Sequence, residues 1–396
     1  MRTAVLVFLL VFVTFMQAQT QAELIEANGE PDQPHARSGQ RTLREIPPGG
    51  LLLIPESNLD RVMAFDPTTG NLIDENWLLE SAANELSTPI EAILSPDGTQ
   101  IWVSDQVADG VLAYDLDGNF LDRLAPAGGV NTAILNNVRG IGIKANDNLL
   151  VTSAGTTNSD VIAEFDASGT FLGNFIGPDT NVMDGPWDVV YRSVQNDYLV
   201  NASDNDVIAR YDASGACQGV FATLTGMHEQ MSQIANGNII TANFSSPYGV
   251  NEFAPDGSLV GVYHAGISGL RGCYELPNGH FLITNGSGVY EIDRDNNLID
   301  TKLSGTYSCR FINLVQPQMG LGVPQNPRLN VNGSTLTFTW QAVDGAVTYN
   351  LYSNTDPYAA IDQWTHEVTV ADTTWSTTAP GNKTFYLITA SDEGGE

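Results

Sequence analysis

Hydrophobic and polar positions alternate in short runs along the first three quarters of the chain, and one arrangement recurs six times. In each copy an aromatic or aliphatic residue precedes a polar turn, a Gly or Asn follows, and a second apolar pair comes next. The copies occupy residues 65–73, 114–121, 165–172, 211–218, 253–260 and 292–299. Because Gly and Asn adopt positive φ at low cost, each copy predicts two antiparallel strands joined by a tight turn.

The spacing of the copies indicates the architecture. They begin roughly 40 to 50 residues apart, which is the length of one four-stranded propeller blade. The first copy follows the apolar run 51–56 with no inner strand before it, whereas residues 308–315 supply an apolar strand after the sixth copy. The pattern predicts an all-β protein with a six-bladed β-propeller over residues 49–317, closed by the pairing of its two chain ends.

The N-terminal segment has a different composition. Arg2 precedes an apolar run, residues 4–15, and a small polar stretch ends near Ala22. This layout is typical of a cleaved export signal, so residues 1–22 are predicted to be a signal peptide. Residues 23–48 are rich in Glu, Gln, Pro and Gly and predict a flexible leader. We therefore expect a secreted or periplasmic protein with no membrane span.

The C-terminal segment has longer alternating strands. After a Gly- and Pro-containing linker, residues 318–325, apolar alternation appears at 336–340, 346–352, 367–370 and 384–390. Trp340 in an early strand and the Tyr-rich strand that follows resemble a fibronectin type III module, an immunoglobulin-like sandwich, over residues 326–396. Such a module would need one more strand after residue 391. Either the sequence continues beyond residue 396, or the sandwich lacks its last strand.

Charge excludes some partners. The chain has 46 acidic residues against 16 basic ones, and its formal net charge is −30. Because nucleic acids and anionic lipids need clustered Lys and Arg, the chain is not expected to bind either one. The acidic residues are spread singly through turns and loops, which is typical of a solvated surface. We expect a monomer.

Three cysteines are too few for a disulfide framework. Cys217 occupies the position of Leu72 and Phe120 in the other copies, so it is predicted to fill the core. Cys273 and Cys309 lie on the innermost strands of neighbouring blades, where an exported protein could oxidise them. Cys273 lies two residues after Arg271, whereas Cys309 lies one residue before Arg310. Because side chains alternate between the two faces of a strand, the two cysteines are expected to lie on opposite faces and not to pair.

Candidate site residues lie where a propeller brings its strands together. The starts of the inner strands and the ends of the second strands meet on one face around the axial channel. The candidate ligand-binding residues are Glu91, Arg139, Trp187, Asp188, Gln230, Arg271, Arg310, Asn243 and Asn285. Arginines bind carboxylate or sulfate bidentately, Asn binds hydroxyls, and Trp187 offers an apolar platform. Alternatively, Arg139 and Arg271 form structural ion pairs with Glu91, Asp188 or Glu229.

Catalytic chemistry has weaker support. His228 lies at an inner-strand start, but a general base needs an orienting partner and a nucleophile within reach, and the sequence identifies neither. The other histidines are scattered without ligand spacing. No Gly-rich phosphate loop, Cys-x-x-Cys or His-Glu-x-x-His motif occurs. The catalytic residues are therefore unassigned.

The repeat resembles the NHL and SMP-30 (gluconolactonase-like) group of six-bladed, TolB-like propellers, and residues 95–105 match it best. The resemblance covers about residues 50 to 315. Lactonase-type members of that group hold a divalent cation, commonly calcium, through a Glu, two Asn and an Asp. In this chain, the inner-strand start at which those members carry an Asn ligand has the sequence Ile90-Glu91. Other inner-strand starts carry arginines. A guanidinium at about 8 Å from a dication costs about 4 kcal/mol at an effective dielectric near 20. No metal or other cofactor is predicted, and calcium is disfavoured.

Two functions stay open at this stage. The first is an extracellular binding protein whose axial propeller face engages a polar or anionic small molecule, a glycan or a protein partner. The second is a lactonase- or lyase-type enzyme acting in the axial mouth, because the group that the repeat resembles includes both kinds of protein. The absence of the metal-binding quartet favours binding.

Overall fold

The computed structural model describes residues 4–8, 46–47, 49–79, 86–178, 182–316, 324–343, 345–357, 363–380 and 384–391. The first strand is β1 (Ala4–Phe8). The remainder of the predicted signal peptide, nearly all of the predicted leader and most of the predicted linker lie outside these residues. The chain divides into two compact units, residues 40–317 and a second unit made of residues 1–39 and 318–396.

Six four-stranded antiparallel sheets form between residues 51 and 315. Their strands are β2 (Leu51–Glu56), β3 (Arg61–Phe65), β4 (Leu72–Leu79), β5 (Pro89–Leu94), β6 (Gln100–Asp105), β7 (Gly110–Asp115), β8 (Phe120–Ala125), β9 (Val138–Ile143), β10 (Leu149–Ser153), β11 (Val161–Phe165), β12 (Phe171–Ile176), β13 (Pro186–Arg192), β14 (Asp197–Ala202), β15 (Val207–Asp212), β16 (Cys217–Thr223), β17 (His228–Gln233), β18 (Ile239–Asn243), β19 (Gly249–Phe253), β20 (Leu259–Tyr263), β21 (Gly272–Glu275), β22 (Phe281–Asn285), β23 (Gly288–Ile292), β24 (Leu298–Ser304) and β25 (Asn313–Val315).

Five of these sheets use four strands that are consecutive in the chain, which is the arrangement of a β-propeller blade. The sixth has the order β25-β2-β3-β4 and takes its first strand from the far end of the unit. There Leu51 pairs with Val315, and Leu53 pairs with Asn313. The pairing that the sequence predicted between residues 51–56 and the strand after the sixth copy is therefore observed.

The turns of the six copies have the predicted backbone conformation. Each has a residue with positive φ, namely Gly70, Gly118, Gly169, Gly215, Gly257 or Asn296. An Asp commonly caps the turn: the Asp166 carboxylate accepts the backbone N–H groups of Ser168 and Thr170. These bonds and the Ser168 hydroxyl, which makes the largest contribution, lower the pKa of Asp166. The turn prediction is confirmed.

Burial decreases from the middle strands to the fourth strand of each sheet. Strands such as β10 and β22 are buried at every residue, whereas β24 is almost wholly exposed. Apolar side chains pack between adjacent sheets, so Phe65 of β3 and Leu282 of β22 share one core cluster. Fully buried strands are rich in Leu, Ile and Val on both faces because both faces meet a neighbouring sheet.

The cysteine predictions have mixed outcomes. Cys217 begins the outermost strand β16 and is exposed, so its assignment to the core was wrong. The equivalent Leu259 and Leu298 are also half exposed, at 57% and 50%, because the fourth strand has no sheet covering its outer side. Cys273 and Cys309 are buried and free.

The second unit contains two further sheets. Its strands are β26 (Arg328–Asn332), β27 (Thr335–Thr339), β28 (Thr348–Asn354), β29 (Thr365–Val370), β30 (Thr374–Thr378) and β31 (Phe385–Ser391). The sheet orders are β26-β27-β30 and β1-β31-β28-β29. Phe338 of one sheet and Leu351 and Ile388 of the other lie in a common core with Trp340. Within the described residues, no helix is long and apolar enough to span a bilayer.

Candidate functional site

The first strands of the propeller sheets contact one another and place two tiers of side chains at their starts. The upper tier consists of the second residues of β5, β9, β13 and β17 together with two arginines that precede β21 and β25: Ile90, Arg139, Trp187, Glu229, Arg271 and Arg310. The next residue forms the lower tier: Glu91, Gly140, Asp188, Gln230, Gly272 and Phe311. Backbone bonds join the starts across sheets, since Phe311 N–H donates to Ile90 O and Gln230 N–H donates to Arg271 O.

Glu229 is the centre of the upper tier. Its carboxylate is fully buried and accepts a hydrogen bond from Arg271 Nη1 at 2.7 Å. Arg310 Nη1 lies 3.7 Å from the other carboxylate oxygen, close enough for an ion pair but too far for a hydrogen bond. Burial raises the pKa of Glu229, and the charges of Arg271 and Arg310 oppose that rise.

The negative charge near Arg310 does not offset the cost of burying its guanidinium group. It is 9% exposed and donates through Nε to Ser57 Oγ at 2.8 Å. Burial and the nearby positive charge of Arg271 lower its pKa to about 10, although Glu229 and Glu56 act in the opposite direction. A second anion beside Arg310 would therefore stabilise its charged form.

Arg139 is held without any ion pair to a carboxylate among the described residues. Its Nη1 donates to the backbone oxygens of Gly185 and Pro186, both at 3.1 Å. Its guanidinium carbon lies 4.2 Å from the centre of the Trp187 ring, a cation–π contact. Burial lowers its pKa, while the more distant charges of Asp204 and Glu229 raise it.

The side chains around these arginines are apolar. Ile90, Trp187 and Phe311 are buried in one cluster, against which Met227 packs. Arg271 lies 4.6 Å above the Phe244 ring and its side chain is 18% exposed, so the guanidinium reaches solvent. We call Arg139, Arg271, Arg310, Glu229 and Trp187 the arginine cluster.

Several buried polar atoms of the arginine cluster have no hydrogen-bond partner. They are Arg139 Nε, Arg271 Nε, Trp187 Nε1 and Glu229 Oε2. Buried polar atoms are almost always paired in folded proteins, because an unpaired donor or acceptor costs about 1–3 kcal/mol. Three of these four atoms are donors, so the cluster suits an anionic group better than a cation.

The lower tier ties the sheets to one another. Glu91 Oε2 accepts the backbone N–H of Ile141 at 2.6 Å, and Asp188 Oδ2 accepts that of Met231 at 2.8 Å. Gln230 Oε1 accepts the N–H groups of both Cys273 and Ile312 at 2.9 Å. Each of these three side chains therefore reaches the first strand of another sheet.

Glycine in the lower tier permits this close approach. A Cβ atom on Gly140 would lie 2.6 Å from Trp187 O and 2.8 Å from Asp188 Oδ1. A Cβ on Gly272 would lie 2.5 Å from Arg310 O. Both distances are below any ordinary van der Waals contact, so a larger residue would separate the first strands.

The structure thus divides the sequence-predicted residues into three groups. Arg139, Trp187, Arg271 and Arg310 lie in the arginine cluster, and Glu91, Asp188 and Gln230 lie one residue deeper. The Asn243 amide donates to Thr225 O and Pro247 O, and the Asn285 amide donates to Ser268 O. Both asparagines organise their own loops, and the site proposed below leaves them out.

The ion-pair alternative is supported for only one of its two arginines. Arg271 pairs with Glu229, while Arg139 bonds only backbone oxygens in the described part of the chain. Sequence reasoning left Glu229 out of the candidate ligand-binding residues, although it occupies the same strand position as Arg139 and Arg271. That shared position was the signal that could have found it.

His228 lacks the surroundings of a general base. It is fully buried, and its Nδ1 lies 3.3 Å from Thr241 Oγ1. Burial lowers its pKa to about 4, so the ring is neutral at physiological pH. Within the described residues no carboxylate contacts the ring to orient it.

The described residues do not fit a dication in the axial position. Both carboxylate oxygens of Glu91 and of Asp188 already accept N–H groups, and the arginines lie one residue above them. In the described part of the chain, no three His, Cys, Asp or Glu side chains are grouped as metal ligands would be. Hard cations prefer unshared carboxylate and carbonyl oxygens. The preference against calcium stays a prediction.

Comparison with solved structures supports the propeller fold. A chain of the nidogen/laminin complex matches with a TM-score of 0.56 at 12% identity, covering 68% of this chain and 100% of that one. Streptogramin B lyase matches at TM-score 0.46 and 14% identity over 74% and 91% of the two chains. A gluconolactonase from Xanthomonas campestris matches at TM-score 0.45 and 14% identity over 64% and 84%. At these identities the likeness concerns the fold alone.

Sequence comparison adds nothing to this. No protein-family model matches the chain, and no curated protein matches it either.

Proposed function

We propose that the six four-stranded sheets are the blades of one closed ring and that β25 completes the first blade. The pairing of β25 with β2 and the bonds between neighbouring first strands support this arrangement. Closure would leave no sheet edge open at the junction. It would also bring the arginine cluster to one mouth of the axial channel.

We infer that the second unit is a fibronectin type III-like sandwich. Two sheets that share a core around Trp340 and Phe338 support this assignment. We also propose that residues 1–22 are an export signal and that the mature protein is secreted or periplasmic. Cleavage after residue 22 would remove β1, and its pairing with β31 would then belong to the precursor.

We propose that the protein is an extracellular binding protein, and that the arginine cluster binds an anionic small molecule or glycan through a carboxylate or sulfate group. The observation that carries this proposal is the pair of guanidinium groups, Arg271 and Arg310, at the Glu229 carboxylate, with buried donors of Arg139 and Arg271 left unpaired. Guanidinium groups match the geometry of carboxylate and sulfate, and burial strengthens such bonds.

Binding is preferred to catalysis because the cluster has no oriented base or nucleophile. His228 is neutral and its Nδ1 lies beside the Thr241 hydroxyl, and the Glu229 carboxylate is held by Arg271. A lactonase or lyase would need a proton acceptor within reach of its substrate. The enzyme alternative has no comparable group in the described part of the site.

Titration of the purified protein with galacturonate, sulfate and uncharged methyl galactoside tests the proposal. We expect galacturonate or sulfate to raise the melting temperature and to bind saturably by calorimetry, while methyl galactoside does neither. Arg310→Gln and Arg271→Gln should each weaken binding at least about tenfold. The matched control is Arg210→Gln, because Arg210 is half exposed and pairs with Asp197 away from the cluster.

Two results would overturn this function. One is the absence of any thermal shift or binding heat with either anion at low salt. The other is equal loss of affinity in Arg210→Gln and Arg271→Gln, which would reveal a general charge effect. We expect the affinity for the anion to decrease as NaCl is added, because salt screens surface-accessible charge pairs.

A further inference from the structure

The propeller contains a recess that lies further along the first strands than the upper tier. Its volume is about 600 Å³, and residues of β5, β9, β13 and β17 line it. The lining residues follow the lower tier in the chain: Ile93 on β5, Ile141 and Ile143 on β9, Val190 on β13 and Met231 on β17. The recess is therefore on the other side of the lower tier from the arginine cluster.

The walls of the recess are mainly apolar, but two carboxylates line it as well. Glu91 and Asp188 are 4% and 2% exposed. Their oxygens accept N–H groups from Ile141, Met231 and Val189 and from the Asn313 amide. Among the described residues neither carboxylate has a cationic partner, which is unusual for buried acids.

Burial acts on both carboxylates, and repulsion by the charge of Glu91 also acts on Asp188. Burial raises the pKa of Glu91 to about 7, against the bonds from Ile141 and Asn313. Burial also raises the pKa of Asp188 well above its usual value, and the charge of Glu91 raises it further. A cation placed between them would relieve both effects.

The other charged groups at the recess do not supply that cation. Lys144 lines the recess, but its ammonium group lies 2.7 Å from Glu164 and 4.1 Å from the Phe175 ring centre. Asp147 is exposed and adds negative charge. The polar side chains of Tyr191, Ser232, Gln233 and Asn313 also line the recess.

We propose that this recess is a binding site for a small organic ammonium ion with an apolar body. The ammonium group would lie against Glu91 and Asp188, and the apolar body would contact Ile93, Ile143 and Met231. Cations of this kind match both features, since hydrocarbon fits the walls and positive charge fits the two acids. A proton held by the carboxylates passes to the buffer when the cation binds, so affinity increases with pH.

Benzylammonium is a suitable probe, with benzyl alcohol as its uncharged counterpart. We expect saturable binding of benzylammonium in ligand-observed NMR and calorimetry at pH 8, and none of benzyl alcohol at equal concentration. Asp188→Asn and Glu91→Gln should each weaken binding at least about tenfold. Binding at pH 7 should release protons, which calorimetry in two buffers of different ionisation enthalpy detects.

Controls distinguish this site from the arginine cluster and from misfolding. Arg271→Gln should bind benzylammonium as the wild type does. Ser232→Phe keeps both carboxylates and fills the recess, so it should abolish binding even if the Glu91 and Asp188 variants fold poorly. Equal binding of benzyl alcohol would overturn the proposal. So would unchanged benzylammonium affinity in Ser232→Phe.

Discussion

The two tiers of side chains lie one residue apart on the same strands, yet they differ in almost every property. The upper tier contains Arg271, whose side chain is 18% exposed, and buried donors without partners. In the lower tier every oxygen of Glu91, Asp188 and Gln230 accepts at least one N–H group. The difference shows that adjacent residues at one strand start can be either fully hydrogen-bonded to neighbouring sheets or left with unpaired donors.

The largest expected effect is on the lower tier. Gln230→Leu would leave the N–H groups of Cys273 and Ile312 without an acceptor and remove the bond from the amide to Ile312 O. We expect a loss of about 3–5 kcal/mol in the free energy of unfolding, because each buried unpaired group costs about 1–3 kcal/mol. Urea denaturation followed by fluorescence measures it.

Gln233→Leu is the matched control, since Gln233 lies on the same strand and makes one half-buried bond to Gly237 O. It should cost less than about 1 kcal/mol. Equal losses for the two variants would contradict the distinction between the tiers.

A pH effect of somewhat smaller size is expected from Glu91. Its pKa is about 7 in the folded chain against an ordinary value of 4.5. Since the folded-state pKa is raised, the stability linked to this group is fully present below pH 4.5 and is lost as pH increases through 7. The loss amounts to about 3 kcal/mol.

Comparison of Glu91→Gln with the wild type isolates this contribution, because other groups titrate in both proteins. The difference in unfolding free energy should change between pH 4.5 and 8 and level off above that range. A constant difference across the range would mean that Glu91 ionises normally.

The third prediction concerns the upper tier. Glu229→Gln removes the one carboxylate that contacts Arg271 and Arg310, so the arginine cluster should bind sulfate more tightly, by about tenfold. Calorimetric titration measures the change. The isosteric amide keeps an acceptor for Arg271. Weaker sulfate binding in this variant would show that Glu229 positions the arginines rather than competing with the anion.

The smallest expected effect is that of calcium. A tight ligand at a hundredfold its dissociation constant stabilises the folded state by about 2.7 kcal/mol. Because guanidinium groups and engaged carboxylates surround the axial position, we expect calcium to leave the melting temperature unchanged. Stabilisation that EDTA reverses would revive the lactonase-type enzyme as a candidate function.

Most of the strand pattern could be predicted from the sequence. Positive φ at Gly70 and Asn296 and the pairing of residues 51–53 with 313–315 follow from local turn chemistry and from a strand count. Cys217 was misjudged because apolar residues such as Leu72 and Phe120 occupy its position in the other copies, and only the sheet order shows that β16 is outermost. Periodicity gives the face of a strand but not whether another layer covers that face.

The sequence by itself determined the repeats, their turns and the residue types at each strand start. Only the tertiary structure decided which of those residues meet. Arg271 and Glu229 are distant in sequence and 2.7 Å apart in space, and Asp188 reaches Met231 across a sheet boundary. Charge pairing and burial depend on such distances, and these follow from how neighbouring sheets pack rather than from any local pattern.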